Sequence, residues 1–226
     1  EAYDVLIVGG EDHKTGQADD GSRRFGMLEA WARERFEGLG DALYRWSGMV
    51  FESLDGVAYI GPDPAGQRGV YVATGDSGMG MTHGTIAGVL LRDQILGVEN
   101  AWSELYDPRR KPVRTAGQFV KENLNVALQY IDWLTDGEVE SIEQIHRGQG
   151  ALVRRGLHKI AVYRDHAGTL HACSAVCPHM HGPVSWNSTE GTWDCPCHGS
   201  RFDCMGRVIG GPASADLKPL GRGLLK

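Results

Sequence analysis

The sequence predicts two structural classes along one chain, an α+β N-terminal part followed by an all-β C-terminal domain. Helical spacing of apolar residues is confined to the first two thirds of the chain. From Gly150 onward, short apolar strands alternate with turns. Residues 1–110 hold 10 basic and 18 acidic side chains, whereas residues 146–226 hold 10 basic and 5 acidic ones. We therefore divide the chain into 1–110, a linker at 111–145, and 146–226.

The first two elements are predicted to be a strand and a helix. Residues 3–10 indicate a buried strand, because four consecutive apolar residues precede two glycines. A dinucleotide-binding turn would require a helix immediately afterwards, and the polar residues 11–21 do not favour one. Ser22 is predicted to cap the first helix. The core-facing residues of that helix are Phe25, Leu28, Ala32 and Phe36.

A strand pair and a glycine-rich loop come next. Residues 57–61 and 70–74 have the composition of strands and are separated by a turn rich in proline and glycine. The loop 75–84 contains four glycines and leads into a helix predicted over 85–96. Free backbone N–H groups at such a helix start suit an anion or an electron-rich ring edge.

The linker is predicted to hold one amphipathic helix. Its apolar residues recur every three or four positions, so we expect this face to pack on a neighbouring domain. They are Val120, Leu124, Ala127, Ile131 and Leu134. Beyond the linker, strands are predicted over 151–154, 159–164 and 170–176.

Composition argues against two classes of partner. The net charge of −6 and the absence of a basic stripe argue against nucleic acid. The longest apolar stretch, residues 86–98, is interrupted by Arg92 and Asp93 and is shorter than the ~20 residues of a membrane-spanning helix. We expect neither a nucleic acid nor a membrane among the partners.

The chemistry is concentrated in two short segments that each mix cysteine and histidine. All five cysteines lie between residues 173 and 204, which indicates a metal site more than a disulfide framework. A zinc finger usually separates its cysteine pair from its histidine pair. Mixed segments suit a two-iron cluster, with both thiolates on one iron and both imidazoles on the other. We predict Cys177 and Cys195 on the buried iron and His179 and His198 on the exposed one, with structural zinc as the alternative.

With these motifs, residues 145–217 resemble the Rieske iron–sulfur domain family. The later Gly210, Gly211 and Pro212 are similar to the family's third loop, which covers the cluster. The resemblance implies an all-β Rieske domain, a [2Fe–2S] cluster and a role in electron transfer.

One departure from the family concerns the ligand loops. In many Rieske proteins a further cysteine in each loop forms a disulfide across the cluster. This chain has Cys197 in one loop but Gly182 at the position that aligns with the partner. We therefore expect a free Cys197 and loops held by packing and hydrogen bonds. Cys173 and Cys204 are expected to be small buried side chains, and His181 a surface residue.

The N-terminal part has a resemblance of its own. Residues 55–61 and 74–84 resemble the C-terminal end of the FAD-dependent glycine/D-amino-acid oxidase family, in which a subgroup carries a Rieske domain. The resemblance implies that residues 1–110 are the C-terminal part of an FAD-dependent oxidoreductase domain, a fragment of a flavin oxidase-like fold. It also implies FAD in the full-length protein, along the glycine loop. The candidate flavin-binding residues are Gly75, Ser77, Gly78, Gly80, Met81 and Thr82.

The leading functional hypothesis is electron transfer between a flavin and a Rieske cluster in an oxidoreductase. Its partner is then a flavin domain or a redox protein, and its small-molecule substrate is not specified by the sequence. The alternatives are a stand-alone Rieske ferredoxin-like carrier with a docking extension and a zinc-stabilised interaction module. A cytoplasmic location is expected, because the sequence shows no export signal.

Overall fold

The computed structural model describes residues 4–111, 116–156 and 158–221, which form two compact units. Unit 1 combines the residues up to Ser47 with those from Asn125 onward, and unit 2 runs from Gly48 to Leu124. The predicted α+β N-terminal part and all-β C-terminal domain are both confirmed. The predicted boundaries after residues 110 and 145 stay predictions, because a compact unit need not coincide with a family domain.

Unit 2 is a strand pair covered by a helix. Strands β1 (Tyr59–Pro62) and β2 (Tyr71–Thr74) are antiparallel, as predicted. Helix α2 (Gly80–Leu96) begins five residues before the predicted start, because its first turn closes with a hydrogen bond from His83 N to Met79 O at 3.0 Å. Helix α3 is one turn, Ser103–Tyr106. The core residues between the strands and α2 are Ala58, Ile60, Ala87 and Leu90.

Arg110, which follows α3, binds residues in and just before β1 of unit 2. Its guanidinium lies 2.8 Å from a carboxylate oxygen of Asp55 and donates to the Ala58 carbonyl at 2.9 Å. It also lies 3.9 Å from the ring centre of Tyr59, a cation–π contact. The hydrogen bond from Arg110 lowers the pKa of Asp55 to about 2. This pair therefore stays ionised through the neutral and mildly acidic range.

The C-terminal part of unit 1 contains two antiparallel sheets. The first joins β3 (Gln149–Arg155), β4 (His158–Arg164) and β5 (Leu170–Ser174) in that order. The second joins four short strands in chain order, and the large buried side chains Trp186, Trp193 and Phe202 lie in it. These strands are β6 (Ser185–Asn187), β7 (Thr192–Asp194), β8 (Arg201–Phe202) and β9 (Val208–Gly210).

The beginning of the chain differs from the prediction. Residues 4–10 form no strand, and Val5 and Ile7 are 64% and 73% exposed; Tyr3 lies outside the described residues. A strand requires a neighbouring strand for its hydrogen bonds, and the described residues offer residues 4–10 none. Helix α1 (Gly21–Arg35) starts after Asp20 rather than after Ser22. Ala32 is its buried residue.

The linker helix also differs, in the face that it buries. Helix α4 (Ala116–Gln129) continues into a 3₁₀ segment, Tyr130–Leu134, and a second 3₁₀ turn covers Ile142–Gln144. The predicted apolar stripe is exposed. Tyr130 and Trp133 are half-buried instead and pack with Val126 on the core of the C-terminal sheets. The prediction was wrong because the spacing of apolar residues fits two faces of the helix.

Among the residues that the structure describes, no helix is both long and apolar enough to cross a membrane.

Candidate metal centre

Two loops with the same hydrogen-bonded frame carry the four candidate metal ligands. The first loop, residues 177–182, follows β5. Cys177 N donates to Gly182 O at 2.9 Å, and His181 N donates to Cys177 O at 2.9 Å. The backbone turns back at His181, which has a φ of 60° and an exposed side chain, as predicted for a surface histidine. The frame turns the Cys177 side chain into the core and leaves His179 exposed.

The second loop, residues 195–200, connects β7 to β8. Cys195 N donates to Ser200 O at 2.8 Å, and Gly199 N donates to Cys195 O at 2.9 Å. Gly199, with a φ of 78°, occupies the position that His181 has in the first loop. The two loops thus repeat one frame, with each cysteine at its first position.

The structure brings the four candidate ligands together as two buried sulfurs and two imidazoles nearer the surface. Cys177 and Cys195 are 1% and 2% exposed. The rings of His179 and His198 lie edge to face, with centres 5.0 Å apart. This arrangement agrees with a cluster whose cysteine-bound iron lies inside and whose histidine-bound iron lies outside.

Three of the four side chains, Cys177, Cys195 and His198, have pKa values shifted by burial and by their neighbours. The Cys177 and Cys195 side chains share a hydrogen bond, which lowers the pKa of Cys177 and raises that of Cys195. Burial, and then the neighbouring His179, lowers the pKa of His198. The Nδ1 atom of His198 is buried and has no hydrogen-bond partner among the described residues. A buried nitrogen lone pair without a partner is costly, and a metal ion would satisfy it.

The four candidate ligands form two pairs, with one cysteine and one histidine on each loop. Within the described part of the chain, no three Cys, His, Asp or Glu side chains are placed to hold a single metal ion. A [2Fe–2S] cluster takes two protein ligands on each of two irons, so it does not require such a group. Two thiols and two imidazoles are the ligand types and number that such a cluster takes, so the residues present fit it.

The second loop is covered by a segment from the beginning of the chain. Gln17 Nε2 donates to the Pro196 carbonyl at 2.9 Å, and Ser185 Oγ donates to the Gly16 carbonyl at 2.9 Å. Gly16 has a φ of 73°, and a Cβ there would lie 2.8 Å from Pro196 N. The sequence contains no local signal for this contact, because its two sides are 179 residues apart.

Two aromatic side chains of the linker bind the first loop. The Tyr130 hydroxyl donates to the Met180 carbonyl, and Trp133 Nε1 donates to the His181 carbonyl at 3.1 Å. Burial, followed by the nearby cysteine sulfurs, raises the pKa of Tyr130. Sequence reasoning missed both residues. The signal was present in Val126, Tyr130 and Trp133, which recur at helical spacing on the face that was not chosen.

The two loops touch where a disulfide joins them in many Rieske proteins. A Cβ at Gly182 would lie 2.4 Å from Cys197 Sγ. All five cysteines of the chain are unpaired in the structure. Cys173 is buried, as expected, and Cys204 is only partly so. The loops are therefore in contact without a covalent bond between them.

A third segment, at residues 210–213, closes the site. Ala213 N donates to Ser200 Oγ at 3.0 Å, and Ser200 is fully buried. Because Ser200 Oγ accepts this bond, its own proton is free to point to the Cys177 sulfur, with which it interacts. This is the segment that the sequence predicted as a third loop.

The glycine loop of unit 2 forms a second candidate site. Gly75, Ser77 and Gly78 all have positive φ, and the loop ends at the first turn of α2, which contains Gly80, Met81 and Thr82. A cavity of about 250 Å³ is lined by Gly75 and Gly80 but not by the other four candidates. Ser77 Oγ is buried and has no partner among the described residues, so it fits a polar ligand. Met81 is 90% exposed.

Comparison with family models gives two matches in this order along the chain. The FAD dependent oxidoreductase model matches residues 2–94, and the Rieske [2Fe-2S] domain model matches residues 133–220. The first kind of domain binds FAD and the second binds a [2Fe–2S] cluster.

Individual relatives agree with the family models. The chain is 33% identical to the Rieske 2Fe-2S iron-sulfur protein YhfW of Bacillus subtilis (strain 168), over 96% of this chain and 42% of YhfW. It is 30% identical to the cytochrome b6-f complex iron-sulfur subunit of Prochlorococcus marinus (strain NATL1A), over 61% of this chain and 71% of that subunit. The chain thus spans less than half the length of YhfW.

Among solved structures, the plasma membrane Rieske protein PetC3 from Synechocystis PCC 6803 is 26% identical, over 38% of this chain and 88% of PetC3, with a TM-score of 0.33. Both ligand loops lie within the matched Rieske region. The chain belongs to the Rieske [2Fe–2S] family, and along the sequence its Rieske domain follows a segment of an FAD-dependent oxidoreductase domain.

Proposed function

We propose that this protein transfers electrons between a flavin and a Rieske cluster. Cys177 and Cys195 hold the inner iron, and His179 and His198 hold the outer one. The support for these assignments is the burial of both sulfurs and the unpartnered Nδ1 of His198. When bound, such a cluster accepts and releases one electron, at a potential raised by the two neutral imidazoles.

The observation that carries the coupling is the contact between Gly16–Gln17 and the second loop. Both residues belong to the region matched by the FAD dependent oxidoreductase model. Gln17 Nε2 nevertheless bonds to Pro196, the residue after a candidate iron ligand. Residues of the region matched by the flavin-domain model therefore contact the cluster-binding loop directly, which supports a role for that region beside the cluster.

The flavin lies along the glycine loop in this proposal. Gly75, Ser77 and Gly78 line one side of the ring, and Gly80, Met81 and Thr82 at the start of α2 face the edge that becomes negative on reduction. The positive end of the helix dipole stabilises negative charge at that place. The support is the cavity at Gly75 and Gly80 and the unpartnered hydroxyl of Ser77.

The test of the coupling is flash photoreduction of the flavin in protein that retains FAD and the cluster. Loss of the cluster's visible absorbance should follow as a first-order process whose rate does not change with protein concentration. A rate that rises in proportion to protein concentration would mean transfer between molecules, and the stand-alone carrier would then be the better description.

The flavin site is tested with a pair of substitutions at the exposed Met81. Met81→Glu should raise the FAD dissociation constant about five-fold, because a carboxylate near the helix start opposes an anionic ligand by about 1 kcal/mol. Met81→Gln is the matched neutral control and should leave the constant unchanged. Equal constants for both variants would contradict the placement of the flavin at α2.

The proposal also includes a redox partner and a cellular location for the protein. The relative from Prochlorococcus marinus is a subunit of the cytochrome b6-f complex, so members of this family work with redox partner proteins. For this chain we propose the flavin domain as the first partner. We also propose a cytoplasmic location, where free thiols such as Cys197 persist; cell fractionation tests it.

A further inference from the structure

We infer that Tyr130 and Trp133 are positioning residues that hold the first ligand loop in place of a disulfide across the cluster. The inference rests on the proposed ligand assignment. It concerns the segment 130–135, which we call the strut.

One end of the strut grips the first loop through its backbone. The Tyr130 hydroxyl and Trp133 Nε1 donate to the carbonyls of Met180 and His181, two consecutive residues of the loop. Both aromatic rings also pack on the buried hydrophobic core that includes the cysteine side chains of the two loops. Because both hydrogen bonds are to backbone carbonyls, they hold the backbone of the loop whatever side chains occupy positions 180 and 181.

The other end of the strut is fixed to the first sheet. Lys159 on β4 is 5% exposed, and its Nζ donates to Asp132 Oδ2 and to Thr135 Oγ1, each at 2.9 Å. Arg154 on β3 donates to the carbonyls of Trp133 and Thr135. The strut therefore connects the first loop to two paired strands, β3 and β4.

The need for this support follows from the contact at Gly182. A Cβ at Gly182 would lie 2.4 Å from Cys197 Sγ, so the two positions face each other directly, yet no covalent bond joins the loops. The second loop has its own supports in Gln17 and Ala213. The strut provides the corresponding side-chain bonds to the first loop.

The experiment is hydrogen exchange with peptide-level mass analysis on the purified protein carrying both Tyr130→Phe and Trp133→Phe. Exchange of the first-loop amides should become about ten-fold faster, as expected for the loss of two hydrogen bonds. Exchange of residues 195–200 should stay within about two-fold of the parent protein. Iron loss to a chelator should accelerate about ten-fold in parallel.

Matched controls carry the same chemical changes elsewhere. Tyr163→Phe removes a hydroxyl of the same domain, and Trp102→Phe removes an indole N–H from a 57% exposed side chain. Neither residue bonds to a ligand loop among the contacts that the structure describes, so first-loop exchange should not change.

A rescue distinguishes positioning from general stability. Gly182→Cys, added to the double variant, places a thiol against Cys197, and the oxidised bridge should restore slow exchange of the first loop. The same variant with Cys197→Ser should not be rescued.

Unchanged exchange in the double variant would overturn the inference, and so would equal acceleration in both loops or failure of the bridge to rescue. Hydrogen exchange measures the first loop directly. A protein found to hold no iron would therefore refute the ligand assignment, but not the contact between the strut and the first loop.

Discussion

The two ligand loops have the same internal frame but different supports. Each closes with one backbone hydrogen bond across its ends and one within the turn. The first loop is held by side chains from the strut, and the second by Gln17 from the beginning of the chain and by Ala213 from its far end. The histidines differ as well, since His179 is exposed and His198 is half-buried.

This difference separates the part of the site that forms locally from the part that remote segments supply. The frame arises from short cysteine-containing loops and needs only local hydrogen bonds. The supports come from segments that are remote in sequence from the loops. Changes to the frame should therefore abolish the site, whereas changes to a support should affect one loop and spare the other.

The largest expected effect is the loss of either buried cysteine. Cys177→Ser and Cys195→Ser should each abolish cluster assembly, because a serine hydroxyl is a poor ligand for iron in place of a thiolate. Iron and sulfide analysis with visible spectroscopy measures this. Cys204→Ser, outside both loops, is the control and should retain two irons per chain. Full assembly in either of the first two variants would remove that cysteine from the ligand set.

A smaller effect is expected from breaking the support of the second loop. Gly16→Ala introduces a Cβ 2.8 Å from Pro196 N at a positive φ, so it should lower the free energy of unfolding of unit 1 by about 2 kcal/mol. Gly38→Ala has nearly the same φ, 76°, but open space around it, and separates backbone strain from the clash. Urea unfolding of both variants measures the difference. Equal losses would mean that Gly16 matters only for its φ.

Next in size is the effect of a hydroxyl that links the loops. Ser200 belongs to the second loop, but its hydroxyl interacts with the Cys177 sulfur of the first. A donor to a sulfur ligand favours the more negative reduced state, so Ser200→Ala should lower the midpoint potential by about 40 mV, equivalent to roughly 1 kcal/mol for one electron. Protein-film voltammetry measures it, with the exposed Ser188→Ala as control. An unchanged potential would show that the hydroxyl points elsewhere.

The smallest effect is expected where the two loops meet. Cys197→Ser should leave the cluster assembled and its iron content unchanged, because Gly182 offers no partner sulfur. Peptide mass mapping of the parent protein should find Cys197 as a free thiol. Detection of Cys197 in a disulfide would contradict both statements.

The sequence predicted the candidate metal ligands more completely than the segments that surround them. The mixed Cys/His segments identified the four candidate ligands, because metal chemistry restricts both residue type and spacing. The strands β3, β4 and β5 were predictable for a similar reason, since alternation and turns are local signals. The same holds for β1 and β2.

Apart from the starts of α1 and α2, the errors concern contacts between remote segments. Spacing alone could not decide between the stripe at Val120 and Leu124 and the stripe at Val126 and Tyr130, because the surface that covers a helix face lies elsewhere in the chain. The apolar run at residues 4–10 was mistaken for a buried strand for the same reason. No short-range pattern could have placed Gln17 on the second loop.

Gln17 and Pro196 are 179 positions apart, and this separation also sets an order of events during protein synthesis. At about 5–20 residues per second, the ribosome needs roughly 10–35 s to make the intervening chain. Residues 48–124 have a core of their own and can fold during that interval. The contact of Gln17 with the second loop can form only after the cysteine loops have emerged, so it is among the last contacts of unit 1 to form.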